Sequence, residues 1–532
     1  MLLSIWKENI RNFKNSCRNM VKTRVQMTDV DGYTSSSVIW MYIKRLYPEA
    51  RLDFKIHTAK QHGLSDLIDE LIEESETLDL ILVPDAGSND EEQHTVLHDC
   101  GVPVLCLDHH EVDVQSKNAI IINNQSSLNY KNKQLTGAGV VYQFCRYLDT
   151  LYGVNYADDY IDLVALGLIS DMAQMIEPEI AYLVKQGLEK PTKNFLFQSF
   201  LDKQSYSIGA RMNYISIAFY VTPLINALIR VGTMEEKENL FLAFIDGEKI
   251  VPSTKRGEKG MNEKLATQVV RNCVNARARQ NKELECALEQ IDFRIQDQGL
   301  DKHNLLVIEL NDEDCLNPTL NGLLAMKCAA RYQKPTLVLR ENDEGYSRGS
   351  ARGINNSKLE DLKGYLTELG LFEYCQGHPN AFGSSIKHGL ISDLLARADK
   401  DLAQYNFGTT YYKVNFERKA FDSDIEDIIY DIDKYHSIYG QGCQEPIIAI
   451  TNIDVEKKDI QIMGKNKDTV KITQNGIAYM FFRAGALIEQ IEGLSSMRLE
   501  VVGRANVNEW GGQYTPQIFV DDYNVYDNRL IF

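Results

Sequence analysis

The chain has 532 residues, of which 44% are hydrophobic and 25% charged, and its formal net charge at pH 7 is −18. This length predicts three or four domains, and the composition excludes a disordered chain. The acidic balance argues against non-specific coating of DNA, because such binding is mostly phosphate neutralisation. The ten cysteines form no CxxC pair, and no apolar run approaches membrane-spanning length, so we expect a cytoplasmic protein with no membrane partner.

The segment from Arg24 to Ser127 alternates short apolar strands with helical periods. The predicted strands are Arg24–Met27, Leu52–Ile56, Leu80–Val83 and Val102–Leu107, and the predicted helices are Ser35–Leu46, Leu64–Glu74 and Glu91–Cys100. This alternation predicts a parallel sheet with right-handed crossovers. In such sheets, ligands bind beyond the carboxyl ends of the strands.

Acidic residues and histidines stand just after several of these apolar segments. They are Asp29, Asp31, Asp85, Asp108, His109, His110 and, after the apolar segment Ile161–Ser170, Asp171. Burying such groups is costly without a partner, and their oxygen and nitrogen atoms suit hard divalent cations. The pattern therefore predicts a cation site. Capping of the following helix is the alternative explanation for any single Asp, but a weak one for the whole set.

The middle of the chain has two features whose interpretation stays open. Thr136–Gly139 opens a predicted helix, Val140–Leu151, where free N–H groups could hold an anion, although tight packing on the sheet is the favoured explanation. Farther on, Val251–Lys282 has eight basic residues against only Glu258 and Glu263. A local basic groove and a solvated helix face explain this stretch equally well.

A second α/β unit is predicted to begin near Asn304, with strands at 305–310 and 336–339 around a helix at 320–332. Ser347–Gly353 places small residues around two arginines, which suits a phosphate-facing turn. Gly377–Gly383 is predicted to be a Gly-rich loop with one histidine. From Gln444 onward, six short strands predict a small barrel, with an OB-fold as the leading candidate. Four aromatic residues of this region could stack bases, namely Tyr479, Phe481, Phe482 and Trp510. Aromatic residues in short strands nevertheless usually belong to a core.

Together these motifs resemble those of the DHH phosphoesterases, and within them the bacterial RecJ single-strand exonucleases. The matching segments are Asp29–Gly32 (DxDG), Asp85–Gly87, Asp108–His110, Gly167–Asp171, Pro223–Arg230 (PRINAxGR), Ser350–Arg352 (GSxR), Gly377–Gly383 (GGHxxAxG) and Val501–Val520. Four positions depart from the family pattern. Met27 replaces a common His or Asp ligand, and Leu224, Ile229 and Gln376 replace residues of the substrate motifs.

The resemblance implies an α/β fold of four domains. A parallel-sheet DHH catalytic domain would span 1–235, and a helical connector 236–303. A smaller α/β DHH-associated domain that binds substrate would span 304–435. A C-terminal OB-like β-barrel that binds nucleic acid would span 436–532.

The resemblance also implies 5′-to-3′ hydrolysis of single-stranded DNA in recombination and repair, with two Mn²⁺ or Mg²⁺ ions. The implied metal ligands are Asp29, Asp31, Asp85, His109 and Asp171. Asp85 would bridge the ions, and Asp108 would orient a histidine. The implied substrate-binding residues are His110, Asn226, Arg230, Ser350, Arg352 and His378. A single-strand-binding protein or a helicase is a further candidate partner.

Two alternatives remain open. The first is a phosphodiesterase for small oligonucleotides or cyclic dinucleotides, which needs only the two catalytic lobes and leaves the connector and barrel unexplained. The second is a RecJ-like DNA-binding scaffold without activity. Met27 hints at the scaffold, whereas retention of the acidic residues and both histidines argues against it.

Overall fold

The computed structural model describes residues 22–27, 29–56, 63–209, 212–311, 314, 316–464, 466–492, 494 and 496–527. For residues 22–27 and 510 it describes only the backbone, so the side chains of Met27 and Trp510 lie outside the described part. The chain forms two compact units. The first comprises the residues up to Ala276 together with those from Val414 onward, and the second is Arg277–Lys413.

A five-stranded parallel sheet forms the centre of the first unit, as predicted. Its order is Arg51–Ile56, Lys22–Met27, Leu80–Pro84, Val104–Asp108 and Ile120–Asn123. The last strand was not predicted, because its three isoleucines form a run too short to show a period. Since all five strands are parallel, their carboxyl ends meet at one edge of the sheet.

Helices cover this sheet and form most of the remaining first unit. They are Val30–Leu46, Ile68–Glu73, Glu91–Asp99, Gly137–Tyr152, Ile161–Ser170, Pro178–Glu189, Phe195–Lys203, Ser205–Ile208, Tyr214–Tyr220, Thr222–Val231, Met234–Ile245 and the long helix Leu265–Gln298, which continues into the second unit. The helix Val30–Leu46 begins five residues before its predicted start. Its first turns are rich in hydroxyls, which donate to backbone carbonyls of the same helix, as Ser37 does to Tyr33 at 2.7 Å. Because such residues usually favour caps and turns, the helix start predicted from the sequence was too late.

The stretch Tyr214–Val231 has the length and hydropathy of a membrane span, contrary to the expectation that no apolar run would reach it. It consists of two helices that meet at Val221, and 44% of it is buried inside the protein. The second of these helices packs against the helices Val30–Leu46 and Ile161–Ser170. Its apolar character is therefore explained by packing within the first unit.

The second unit contains a mostly antiparallel sheet with the order Phe372–His378, Ala381–Lys387, Tyr346–Arg352, Thr336–Glu341 and Leu306–Leu310. Its helices are Asn321–Tyr332, Leu362–Glu368 and Ile391–Asp401. The turn predicted at 347–353 is wrong, because these residues form a strand bonded on both sides. Its small residues permit close approach, since a Cβ atom at Gly349 would lie 1.9 Å from the carbonyl oxygen of Val338. The loop predicted at 377–383 is also wrong, since it consists of two strand ends joined at Pro379-Asn380.

The C-terminal part of the first unit is a seven-stranded mixed sheet, which agrees with the predicted OB-like domain. Its order is Phe416–Lys419, Ile447–Glu456, Ser496–Trp510, Gln513–Asp527, Ile477–Phe481, Thr469–Gln474 and Ile460–Met463, with helices Ile425–Lys434 and Gly485–Ile491. Tyr479 and Phe481 are buried and belong to the core, whereas Phe482 is exposed. The strand Phe416–Lys419 also belongs to this sheet, although it precedes residue 436, where the C-terminal domain was predicted to begin. The four domain limits remain a prediction.

Candidate metal centre

Asp29 and Asp31 lie at the start of the helix Val30–Leu46, which follows the strand Lys22–Met27. Asp29 caps this helix, since its Oδ1 accepts a hydrogen bond from the N–H of Gly32 at 3.0 Å. The capping explanation therefore applies to this residue. Asp29 also lies near the other acidic residues, because its charge contributes to raising the pKa of Asp31 and of Asp85.

Asp31 is held by the N-terminus of the helix Gly137–Tyr152. Its carboxylate accepts hydrogen bonds from the N–H groups of Gly137 at 2.7 Å and Ala138 at 3.1 Å, and from the hydroxyl of Thr136 at 3.1 Å. The small residues also allow close packing, because a Cβ atom at Gly137 would lie 2.4 Å from Oδ1 of Asp85. The helix N-terminus thus binds an anion, as its N–H groups suggested, and that anion is a carboxylate of the protein itself.

Asp85 follows the strand Leu80–Pro84 in the left-handed conformation, with φ of 63°. Its N–H donates to the carbonyl of Leu107 at 2.8 Å, which ties this turn to the neighbouring strand. Its Oδ1 lies 3.1 Å from Nε2 of His109. The same Nε2 lies 3.7 Å from Oδ2 of Asp171, which caps the end of the helix Ile161–Ser170.

The structure brings these residues together in two overlapping sets of candidate ligand atoms. Asp85, His109 and His110 form one set, and Asp31, His109 and Asp171 form the other. Within each set the ligand atoms lie within 4.8 Å of one another. Such separations, with carboxylate oxygens and imidazole nitrogens, suit divalent cations that share ligands.

The carboxylates crowd one another, which is the electrostatic reason to expect cations. Burial and the nearby charge of Asp29 raise the pKa of Asp31 to about 6. Burial and the charges of Asp31 and Asp29 also raise the pKa values of Asp85 and Asp171 well above the usual range. A divalent cation stabilises the ionised forms of all three groups, and the residues present therefore fit such an ion.

Asp108 has a different environment and holds the histidine motif in place. Its Oδ1 accepts hydrogen bonds from the N–H groups of His109 at 2.7 Å and His110 at 3.2 Å, and lies 2.8 Å from Nδ1 of His110. Burial alone raises the pKa of Asp108, but the hydrogen bond and charge of His110 outweigh it and hold the pKa below its usual range. Asp108 is therefore suited to orient His110 rather than to bind a metal ion.

The motif of Asp85 and the motif of Asp108 are joined by two residues that the sequence interpretation did not single out as functional. The N–H of Ser88 donates to Oδ2 of Asp108 at 3.0 Å. The buried side-chain amide of Asn123 donates to the Ser88 hydroxyl at 2.8 Å and to the carbonyl of His110 at 2.9 Å. Asn123 ends the strand that was not predicted, and its place at a strand end is the signal that could have identified it.

Replacing Asn123 by Ala is expected to lower the rate of metal-dependent hydrolysis about 10- to 100-fold, the usual cost of losing a group that orients metal ligands. The effect should include weaker Mn²⁺ binding, because both hydrogen bonds position the motifs that contain Asp85 and His110. Isothermal titration with Mn²⁺ and steady-state kinetics measure the two effects. Asn118→Ala, which removes a polar contact to Thr95 outside the centre, is the control. Equal behaviour of the two variants would contradict the positioning role.

The six predicted substrate-binding residues fall in three places. His110 lies in the metal centre. Asn226 and Arg230 are half-buried on the helix Thr222–Val231, which packs on the two helices whose ends contain Asp31 and Asp171. Ser350, Arg352 and His378 lie on the sheet of the second unit, where Arg352 and His378 both face Ala381 from the two strands beside it.

Two further residues of the second unit border this group and were not predicted. A Cβ atom at Gly322 would lie 2.6 Å from Nη2 of Arg352 and 3.5 Å from Oγ of Ser350, so a larger residue there would displace the end of the Arg352 side chain. Lys363 donates to the carbonyl of Gly377 at 2.7 Å. Partial burial and the charges of Lys363 and Arg352 lower the pKa of His378. The concentration of positive charge suits a phosphate group.

Comparisons with known proteins agree with this fold and site. Residues 24–168 match the DHH family, N-terminal domain, and residues 423–522 match the RecJ OB domain. The fold and the site thus define a metal-dependent phosphoesterase of the DHH class. Over 526 residues the chain is 36% identical to the SPbeta prophage-derived protein YorK of Bacillus subtilis (strain 168), whose name provisionally describes a single-strand DNA-specific exonuclease. The match covers 97% of this chain and 89% of YorK. The chain therefore belongs to the RecJ-like family of single-strand DNA-specific exonucleases.

Other relatives extend the comparison. The single-stranded-DNA-specific exonuclease RecJ of Bacillus subtilis (strain 168) is 26% identical over 523 residues, which are 94% of this chain and 61% of that protein. The crystal structure of RecJ from Thermus thermophilus with Mn²⁺ has a TM-score of 0.70 and 19% identity, and the match covers 96% of this chain and 70% of that one. A second structure of the same protein contains Mg²⁺. The structural likeness shows that the fold is shared.

Proposed function

We propose that this protein is an exonuclease that removes nucleotides from the 5′ end of single-stranded DNA with the aid of two divalent cations. The main support is the ligand set of Asp31, His109 and Asp171, whose atoms lie within 4.8 Å of one another, with Oδ1 of Asp85 3.1 Å from Nε2 of the same His109. Asp31, His109 and Asp171 would hold one ion, Asp29 the other, and Asp85 would bridge both. Bound cations would neutralise charge on the phosphate and lower the pKa of a bound water.

The residues of the chain supply orientation and charge for this reaction. Asp108 holds Nδ1 of His110 at 2.8 Å, while the His110 side chain is 42% exposed and therefore accessible to a substrate. Partial burial lowers the pKa of His110, but its hydrogen bond with Asp108 outweighs this effect and the pKa is raised. In its protonated form His110 would stabilise negative charge on the phosphate.

Family membership supports the remaining parts of the proposal. On this ground we propose 5′-to-3′ polarity, a role in recombination and repair, and a cytoplasmic location. A single-strand-binding protein or a helicase as partner is a proposal of the same kind. The eight cysteines among the described residues are free thiols, which suits a reducing compartment.

Product analysis on a 5′-labelled single strand with Mn²⁺ tests activity, polarity and product size together. The expected result is early release of a labelled mononucleotide. Faster turnover of a dinucleotide than of a long strand would instead support the small-nucleotide phosphodiesterase. Binding of single-stranded DNA without cleavage in Mn²⁺ or Mg²⁺ would support the inactive scaffold.

Among the predicted stacking residues whose side chains the structure describes, Phe482 is the one available to a base, since its side chain is 56% exposed. Its ring meets that of Phe519 edge-on, with 5.4 Å between centroids, which holds it in place. Phe482→Ala is expected to weaken single-strand binding about tenfold, because base–aromatic stacking contributes about 1–3 kcal/mol per base. Fluorescence anisotropy in EDTA measures this effect. The control is Phe293→Ala, which removes an exposed ring outside the C-terminal sheet. Equal affinities of the two variants would assign Phe482 to another role.

A further inference from the structure

A small basic hairpin lies between the helix Met234–Ile245 and the long helix Leu265–Gln298. Its two strands, Ile250–Pro252 and Asn262–Lys264, pair in antiparallel register. The intervening turn is exposed, and it contains three cations, Lys255, Arg256 and Lys259. This hairpin is the first half of the basic stretch for which the sequence left a groove and a solvated face as equal explanations.

The positive charge of this region exceeds what its own acids neutralise. Between residues 248 and 271 there are six cations and three acids. Each acid contacts one cation, in the pairs Glu248–Lys264, Glu258–Lys255 and Glu263–Arg271. The other three cations, Lys249, Arg256 and Lys259, are exposed and contact no acid among the described residues. On a chain of net charge −18, this is a local surface with an excess of three positive charges.

Side-chain hydrogen bonds attach the hairpin to the long helix. Arg271 donates two hydrogen bonds to the carboxylate of Glu263, at 2.7 and 2.8 Å, and one to the hydroxyl of Thr254 at 3.1 Å. The amide of Gln268 donates to the carbonyl of Pro252 at 3.0 Å. The bonds from Arg271 lower the pKa of Glu263 to about 2, so this link stays ionised at neutral pH. A rigid support of this kind reduces the entropy lost when the exposed cations bind a partner.

The hairpin lies on the side of the first unit away from the metal centre. The hydroxyl of Tyr33, near the start of the helix that carries Asp31, donates to the carbonyl of Lys237 at 3.3 Å. Farther along both helices, the ring of Phe241 packs against Trp40 with 5.6 Å between centroids. The helix Met234–Ile245 therefore runs away from the centre, and the hairpin follows its far end.

We propose that the hairpin 250–264 is a second contact site for single-stranded nucleic acid, and that Lys249, Arg256 and Lys259 bind backbone phosphates distant from the cleaved bond. This inference rests on the proposed function, which supplies the polyanion. Its chemistry is the contact of a preformed cationic surface with the phosphate backbone, which gives affinity without sequence preference. A short oligonucleotide engaged at the metal centre would not reach the hairpin.

The test compares the full-length wild type with the triple variant K249E/R256E/K259E. Anisotropy with a fluorescein-labelled oligothymidylate of about 30 nucleotides in EDTA measures binding without cleavage. We expect binding at least about tenfold weaker at about 100 mM salt, and a salt dependence reduced by about two in log–log slope, because each phosphate contact contributes about 0.7. Hydrolysis of a trinucleotide with Mn²⁺ should be unchanged, since the variant leaves the centre intact.

A matched control separates local from general charge effects. K131E/K190E/K400E changes three exposed lysines elsewhere by the same total charge and should retain near wild-type affinity. Equal weakening in both variants, or wild-type affinity of the hairpin variant, would overturn the inference and leave the hairpin as a solvated surface. Failure of the proposed function is distinguishable, because the wild type itself would then not cleave the single strand in Mn²⁺, whatever its affinity in EDTA.

Discussion

Replacing Asp85 by Asn is expected to lower the rate of Mn²⁺-dependent hydrolysis of single-stranded DNA by at least about a thousandfold, or ~4 kcal/mol. Asp85 is 3% exposed, and its Oδ1 lies 3.1 Å from Nε2 of His109, the group that both ligand sets share. Loss of its charge should weaken both proposed ion sites together. The effect should exceed the roughly 10- to 100-fold usual for residues that only orient ligands.

Asn is the appropriate replacement because it preserves the backbone. Residue 85 has φ of 63°, a conformation that Asn adopts more readily than most residues. The variant should therefore fold, and in EDTA its melting temperature should equal or exceed that of the wild type. The reason is that the wild-type carboxylate is destabilised by burial and by its acidic neighbours. Its affinity for single-stranded DNA in EDTA should remain close to that of the wild type.

The matched control is Asp79→Asn, which removes an exposed carboxylate just before the same strand. It should retain full activity and the full rise in melting temperature on addition of Mn²⁺, whereas Asp85→Asn should lose both. If Asp85→Asn kept more than about a tenth of the wild-type rate, the shared role proposed for Asp85 would be wrong. Product release measured over several time points gives the rate.

The sequence predicted the centre of the first unit because its residues follow a general rule of parallel sheets. Asp85 and Asp108 stand at the ends of apolar strands, and such ends must meet at one edge. The rule says nothing of hydrogen bonds between loops, so the positioning roles of Ser88 and Asn123 were not predicted. It also could not show that the N–H groups of Gly137 and Ala138 face an internal carboxylate, because that depends on how the helix packs.

In the second unit the sequence singled out the segments proposed to bind substrate, but it did not predict their conformation. Gly349 and its small neighbours suggested a turn, since glycine commonly marks one. In the structure, the absence of a side chain at this glycine instead lets two strands approach closely, because the carbonyl of Val338 occupies the space of a Cβ atom. The position of Gly322 beside this group was not predicted, for a related reason. Its need for a small residue comes from Arg352, which lies far along the chain.

Stabilisation of the protein by Mn²⁺ is expected to increase as the pH rises from about 5 to about 8. In the metal-free protein, burial and Asp29 raise the pKa of Asp31 from 3.8 to about 6. A raised folded-state pKa favours the folded protein below pH 3.8, and this advantage is lost as the pH rises through about 6. For Asp31, which is 2% exposed, the loss amounts to about 3 kcal/mol.

Cation binding requires ionised carboxylates, so protons compete with Mn²⁺ in the same pH range. Near pH 5 the ion must displace a proton from Asp31, whereas near pH 8 it meets the carboxylate already charged. The raised pKa values of Asp85 and Asp171 add to the competition in the same direction. Differential scanning fluorimetry with and without Mn²⁺ across this range measures the stabilisation.

The variant Asp31→Asn identifies the contribution of this residue among the others that titrate. His110 also has a raised pKa, and its contribution to metal-free stability likewise falls as the pH rises. The contribution of Asp108, whose pKa is lowered, has the opposite sign and lies at lower pH. Both are present in wild type and variant, so the difference between the two pH profiles reports Asp31 together with its effect on the pKa values of Asp85 and Asp171. A Mn²⁺ effect that is constant across the whole range in the wild type would show that no raised carboxylate takes part in metal binding.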